Sequence, residues 1–308
     1  MIFVAGSANL DFVVRAPHIP APGETVLGHA FQTFPGGKGA NQAIACARAG
    51  GATTHMLLAL GDDAFAQPLE ASLAEAAVVP HIVRSEKPTG TAFICVSDDA
   101  ENAITVAPGA NLALQAEHLP PLQGFTHLLL QLETPLDTVT AYAQAARAQG
   151  VQVVLNAAPA QVLPPALLAA VDVLVVNEGE LASVAQHDGS VAECLARLDV
   201  RCVVVTLGHR GCCARLDGEI ALQAAFPVTP VDTTAAGDSF CGALTAALSQ
   251  GHSLAQALQY GSAAGALACT RAGAQSSIPT HAEVKALVAS GAPAGAEAAL
   301  RAFCGFPA

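Results

Sequence analysis

The chain has 308 residues, 52% of them hydrophobic, a mean hydropathy of +0.46 and a formal net charge of −12. That acidity excludes a partner whose phosphate backbone needs a basic face, so no nucleic-acid partner is expected. Alanine supplies much of the hydropathy, and no run approaches the roughly 18–20 consecutive apolar residues of a spanning helix, so no membrane partner is expected either. The nine cysteines form no Cys-x-x-Cys pair and read as small buried hydrophobes of a reducing, cytoplasmic compartment.

Residues 1–7 lack a basic region and a long apolar core, and read as the first strand, not as a signal peptide. Segments 12–35 and 81–106 contain short alternating runs, including 91–96 and 103–106. Pro-Gly, Asp-Asp and Glu-Asn turns break them, and they read as a small antiparallel patch on the main sheet, placed as a lid. The loop Pro35-Gly36-Gly37-Lys38-Gly39-Ala40-Asn41 precedes an apolar helix over 42–49. From residue 125 onward, β-branched or leucine-rich runs at 128–132, 151–155, 173–176 and 203–205 alternate with helical stretches at 136–149 and 191–198. This predicts βαβ units and a parallel sheet buried on both faces. Further helices are expected over 238–248 and 254–269. The alanine- and glycine-rich stretch 291–308 reads as a weakly packed tail, leaving 1–290 as one α/β domain.

The four strand-like runs end at Glu133, Asn156, Asn177 and Thr206. Ligands of open α/β sheets bind outside the carboxyl ends of the strands, so these polar groups are expected to share one crevice. Lys38 is one of only three lysines, and its glycines let backbone approach a ligand at a helix start. It is not a Walker loop, because Gln32 replaces the first glycine and Gly39 follows the lysine. No G-x-G-x-x-G follows a strand, which disfavours a nicotinamide enzyme. The segment 231–238 runs into a helix through Ala235, Ala236 and Gly237, whose backbone N–H groups would form an anion hole beside Asp238. Asp238 also reads as an ordinary first-turn acid that complements the helix dipole. Residues 206–211 follow a strand and suit a nucleotide's backbone contacts, while Asn177-Glu178-Gly179-Glu180 suits a magnesium held through water.

Together these segments resemble the ribokinase branch of the PfkB carbohydrate kinase family, over roughly residues 2–280. Asn9-Leu10-Asp11 is similar to its Asn-x-Asp sugar motif. Residues 36–41 are similar to its first glycine motif, and Asp232-Thr233-Thr234-Ala235-Ala236-Gly237-Asp238-Ser239-Phe240 to its DTxGAGDxF motif. The resemblance implies a three-layer α/β/α sandwich with a mostly parallel central sheet and a small β-sheet lid that forms a homodimer interface. It makes Asp238 the catalytic base and gives the sugar Asn9, Asp11, Gly37, Lys38, Gly39, Asn41 and Glu133. The ATP site implied is Asn177, Thr206, Leu207, Gly208, His209, Arg210, Gly211, Gly237 and Ser262, with Glu180 acting on Mg²⁺ through water. A monovalent cation, K⁺, maps onto Asp232, Thr234, Ala268, Arg271, Gly273 and Ser277, several through backbone carbonyls.

The reaction implied is transfer of the ATP γ-phosphoryl to O5 of D-ribose, giving D-ribose 5-phosphate and ADP. No basic cluster awaits a substrate phosphate. Deoxyribose, another pentose, fructose or a nucleoside remains open as substrate, and so does a non-catalytic sugar-binding protein on the same scaffold.

Overall fold

A computed structural model describes residues 1–99, 101–291 and 296–307. Position 100 of the expected lid segment, and 292–295 and 308 of the expected tail, lie outside the described residues. The strands are β1 (Ile2–Ala5), β2 (Asn9–Ala16), β3 (Ala30–Gly36), β4 (Thr54–Gly61), β5 (Val79–Ser85), β6 (Gly90–Ser97) and β7 (Asn102–Ala107). They continue as β8 (His127–Leu130), β9 (Gln152–Asn156), β10 (Val173–Asn177), β11 (Cys202–Thr206), β12 (Gly211–Leu216) and β13 (Glu219–Ala224). In chain order the helices are α1 (Lys38–Arg48), α2 (Ala66–Glu75), α3 (Leu136–Ala148), α4 (Pro165–Leu168) and α5 (Glu178–Ala185). The remainder are α6 (Val191–Leu195), α7 (Ala236–Ser249), α8 (Leu254–Ala268), α9 (His281–Ser290) and α10 (Ala296–Cys304).

Nine strands form one sheet in the order β13-β12-β11-β10-β9-β8-β1-β4-β5. All its pairs are parallel except β11–β12 and β12–β13, which close one edge as an antiparallel meander. Strands such as β8 (HLLL) and β11 (CVVVT) are apolar on both sides because helices cover both faces. Val139, Tyr142 and Leu181, from α3 and α5, cover one face together with Leu300 of α10. Ile44, Leu69, Leu244 and Leu258, from α1, α2, α7 and α8, cover the other. The expected three-layer α/β/α sandwich is therefore what the chain forms. The chain order reverses beside β1, whose neighbours are β4 and β8, so the crevice at its carboxyl end is the topological switch point where such sheets bind ligands.

A second sheet has four strands in the order β3-β2-β6-β7. The expected antiparallel patch is in fact mixed, because its central strands β2 and β6 pair in parallel from Asn9↔Gly90 to Ala16↔Ser97. They follow β1 and β5, parallel strands of the large sheet, and so leave it in the same direction. The start of the 81–106 segment belongs to β5, which pairs with β4 in the large sheet, and the lid strands begin at Gly90.

The tail differs from its expectation of weak packing. Helix α10 buries Leu300 and Cys304, four residues apart on one stripe, and its Phe303 ring carries the Arg210 guanidinium at 4.1 Å.

Candidate functional site

The glycine loop before α1 serves the packing of that helix as much as any ligand. Gly37 sits at φ +90°, and a Cβ there would lie 2.7 Å from the Ala8 Cα and the Asn9 nitrogen. The start of α1 is thereby pressed onto the β1–β2 corner. There Gly39 N–H donates to Ser7 Oγ at 3.3 Å, and Ser7 Oγ donates to Glu133 Oε2 at 2.5 Å. The Lys38 backbone N–H donates to the same Glu133 oxygen at 3.1 Å. Asn9 is fixed by Asn111, whose Nδ2 donates to Asn9 Oδ1 at 2.8 Å while its Oδ1 accepts from the Ala8 N–H at 3.0 Å. Asp11 follows two residues later on β2, so it shares Asn9's face of the lid sheet.

Asp238 lies in the first turn of α7 and is 8% exposed. Asn41 Nδ2 donates to its Oδ2 and Gln42 Nε2 to its Oδ1, each at 2.9 Å. Asn41 Oδ1 is buried without a partner, an acceptor left for a hydroxyl of a bound molecule. Burial, and then the neighbouring charges of Glu133 and Asp238, push the Asp11 carboxyl up to about 7. Burial opposes the charge on Lys38. The carboxylates of Asp238, Glu133 and Glu180 outweigh it and hold the ammonium above its ordinary pKa. One ammonium thus stands among several carboxyl groups.

Ala235 takes the left-handed conformation, φ +57°, as the N-cap of α7. The Ala236 N–H turns back onto the Thr233 carbonyl at 3.2 Å, so one of the three expected anion-hole donors is engaged within the turn. Among the described residues no hydrogen-bond acceptor faces the N–H of Ala235 or Gly237. Gly237 and Ala236 border a cavity of about 560 Å³, the size of a nucleotide site. Thr206, Gly208, His209, Gly211 and Ser262 line it as expected, with Ser262 Oγ 3.4 Å from Cys212 Sγ. The structure does not bring Leu207 or Arg210 to the wall. Leu207 is buried in the core, and Arg210 turns to Phe303. Asn177 caps α5 instead of lining the cavity, accepting from the Glu180 N–H while its own N–H donates to Glu180 Oε2, both at 2.8 Å.

That capping box uses Glu180 Oε2, and among the described residues Oε1 accepts no hydrogen bond. Burial raises the Glu180 pKa, Asp238 adds to the rise, and the Asn177 N–H and Lys38 oppose it. One carboxylate beside a nucleotide cavity fits Mg²⁺, which keeps most of its waters and takes phosphate oxygens. Asp232 accepts from Thr234 N–H at 2.9 Å, Thr234 Oγ1 at 2.6 Å and Gly273 N–H at 2.9 Å, which gathers three of the expected K⁺ positions. Although burial works against its charge, these hydrogen bonds hold the Asp232 carboxyl below the usual range. The Arg271 guanidinium pairs with Glu283, the Arg271 backbone N–H donates to the Ala268 carbonyl at 3.2 Å, and Ser277 Oγ donates to the Ala274 carbonyl at 2.8 Å. Carbonyls and one carboxylate on such a loop are the hard, mostly neutral donor set that suits K⁺.

Several groups of the site carry no motif. Ser7, Gln42, Asn111 and Gln131 are buried polar side chains that the linear pattern does not single out. The apolar cavity wall of Phe226, Val228, Phe240 and Ala266 reads in sequence like any core. The one available signal is the segment Phe226-Pro227-Val228-Thr229-Pro230, an apolar run with two prolines leading into the 231–238 loop.

A cavity for a nucleotide that meets a helix N-terminus beside a ring of hydroxyl-binding groups belongs to an α/β phosphotransferase. The family model for pfkB family carbohydrate kinases matches residues 1–281, and the chain belongs to that family. It is 39% identical to the ribokinase of Haemophilus influenzae over 293 residues, 91% of this chain and 95% of the relative. With the ribokinase of Bacillus subtilis the identity is 36%, over 93% of this chain and 99% of the relative. Among solved structures, the ribokinase of Thermotoga maritima superposes with a TM-score of 0.85 at 35% identity, covering 94% and 99% of the two chains. That of Arabidopsis thaliana, complexed with ribose and ATP, gives 0.83 at 31%, covering 93% and 98%.

Proposed function

We propose that the chain transfers the γ-phosphoryl group of ATP to O5 of D-ribose, giving D-ribose 5-phosphate and ADP. The observation that carries this reading is Asp238. Its carboxylate is held by Asn41 on the sugar side and by the fully buried Gln42 from the core, one residue from Gly237 at the mouth of the nucleotide cavity. Asn9, Asp11, Lys38, Asn41 and Glu133 offer donors and acceptors to adjacent hydroxyls, and the ribose-and-ATP complex of the Arabidopsis relative supports the same pairing of ligands. Asp238 takes the proton of the O5 hydroxyl as that oxygen bonds to phosphorus and the bond to the ADP oxygen breaks. The N–H groups of Ala235 and Gly237, with the dipole of α7, meet charge developing on the phosphoryl oxygens.

Mg²⁺ bound with ATP would neutralise phosphate charge, and Glu180 is the residue that would hold it through water. K⁺ on the Asp232 loop would brace the turn that leads to the anion hole. The lid face that carries Asp11 also carries Ile104 and Val106, 56% and 43% exposed, which supports a homodimer formed through the lid. The nine free cysteines agree with a cytoplasmic setting, and among the described residues no helix is long and apolar enough to cross a membrane.

A coupled ADP-release assay across D-ribose, deoxyribose, fructose and adenosine tests the substrate. The highest kcat/KM is expected with ribose. A clear preference for another acceptor moves the assignment within the family, and no turnover with any of them overturns it.

A further inference from the structure

Gln42 is fully buried in the first turn of α1, and no sequence motif gives it a role. Its Nε2 donates to Asp238 Oδ1 and to Asn156 Oδ1, each at 2.9 Å, and its Oε1 accepts from Gln131 Nε2 at 2.8 Å. Asn156 Nδ2 donates in turn to the Val175 carbonyl at 3.3 Å. Satisfying the neighbours sets which way each amide points. The Val175 carbonyl, which also accepts from the Ala157 N–H at 2.9 Å, would repel an oxygen at the Asn156 Nδ2 position, so Asn156 presents its oxygen to Gln42. Asp238 and Asn156 then each require an N–H, which only the Gln42 NH₂ supplies. A flipped Gln42 would set oxygen against two acceptors and NH₂ against the Gln131 NH₂. Donation therefore passes from Gln131, just beyond β8, to Gln42 and divides there, one branch to the Asp238 carboxylate at the start of α7 and the other through Asn156 at the end of β9 to the Val175 carbonyl of β10.

We propose that Gln42 is a positioning residue for Asp238, locking the plane of its carboxylate to three strands of the large sheet. Asn41 holds the opposite oxygen, and it projects from the rim of the sugar site. Gln42 reaches Asp238 from beneath, where no substrate atom comes, so its contribution is to orientation and not to binding. The inference rests on the reading of Asp238 as base. The ionisable groups facing Asp238 are Asp11 on β2, Lys38 on α1, Glu180 on α5 and the Cys241 thiol on α7. A substitution at 42 leaves all four in place.

Gln42→Leu keeps roughly the volume and removes the amide. The folded variant should bind ribose and an ATP analogue, by calorimetry, within about threefold of the parent, while kcat falls by roughly tenfold to a hundredfold. A kcat within twofold of the parent, or a loss carried wholly by KM, overturns the proposal. If that variant does not fold, Gln42→Glu keeps the acceptor for Gln131 and sets a carboxylate beside Asp238. Its kcat should fall at least as far with KM little changed, and parental turnover is fatal. If the parent releases no ADP with any sugar, the kinase reading fails separately. Carbon-13 NMR of aspartate carboxylates, with the Asp238 signal assigned by its loss in Asp238→Asn, then decides: an Asp238 carboxylate signal at the same chemical shift in the parent and Gln42→Leu refutes the inference.

Discussion

Asp11 offers the sharpest link between the chemistry of the site and the stability of the chain. Its carboxyl, which begins the fold with an ordinary value of 3.8 and is raised to about 7, is packed so closely that a Cβ on Gly36 would lie 2.2 Å from its Oδ2. Burial is the main cause, and repulsion from Glu133 and Asp238 adds to it. The folded state therefore binds a proton more tightly than the unfolded chain. Stability from this group is fully present below the ordinary carboxyl pKa and is lost as pH rises from there through about 7. At roughly 1.4 kcal/mol per unit, the ceiling of the loss is about 4 kcal/mol, and relaxation of the surrounding carboxyl cluster lowers it to about 2 kcal/mol. Asp11→Asn keeps the shape and removes the charge. Scanning calorimetry of the ligand-free protein at pH 8 should show the variant melting several degrees higher, with the gap narrowing toward pH 5. Ribose affinity should fall by about tenfold to a hundredfold, the size of a lost hydrogen bond to a charged group. Melting curves that stay parallel across that range would show that the carboxyl is not strained in the free enzyme and refute the reasoning.

Asp238→Asn should lower kcat by about 10²–10⁴-fold, the range for a lost general base, and near-normal turnover would remove Asp238 from that role. The variant should also melt lower, because one of the NH₂ groups of Asn41 and Gln42 then faces another NH₂. Activity should rise when K⁺ replaces a large organic cation in the buffer, and indifference to the exchange would argue against the Asp232 loop as a cation site. Light scattering should give a dimer for the parent and a monomer for the Ile104→Asp, Val106→Asp variant; a monomeric parent or a dimeric variant refutes the lid interface.

The layers of the fold were legible because buried parallel strands write themselves as short apolar runs. Those at 128–132, 151–155, 173–176 and 203–205 correspond to β8–β11 within two residues at each end. Strand β4, helix α2 and the β12–β13 meander passed unread. The pairing of β2 with β6 joins residues about 80 apart and depends on where their parent strands leave the large sheet, which local periodicity does not record. Helix α10 was hidden by its alanines, although Leu300 and Cys304 keep a helical spacing. Within the site, charged residues on glycine-bearing loops stood out in the sequence. The amides of Gln42, Asn111 and Gln131 did not, because they acquire meaning only from the groups that face them.

The glycine loop shows how a motif can be read correctly for place and incompletely for cause. In the sequence, Gly36-Gly37-Lys38-Gly39 suggests backbone drawn close to an oxygen-rich ligand. In the folded chain, the protein's own groups are drawn close as well: Gly37 meets Ala8 and Asn9, and Gly36 makes room for Asp11. A side chain at 37 would lift the N-terminus of α1 from the β1–β2 corner. The whole first turn would move with it, carrying Lys38 from Glu133 and both Asn41 and Gln42 from Asp238. The glycines act on Asp238 through the helix they seat, since α1 is the element that joins the sugar-binding corner to the carboxylate at the start of α7.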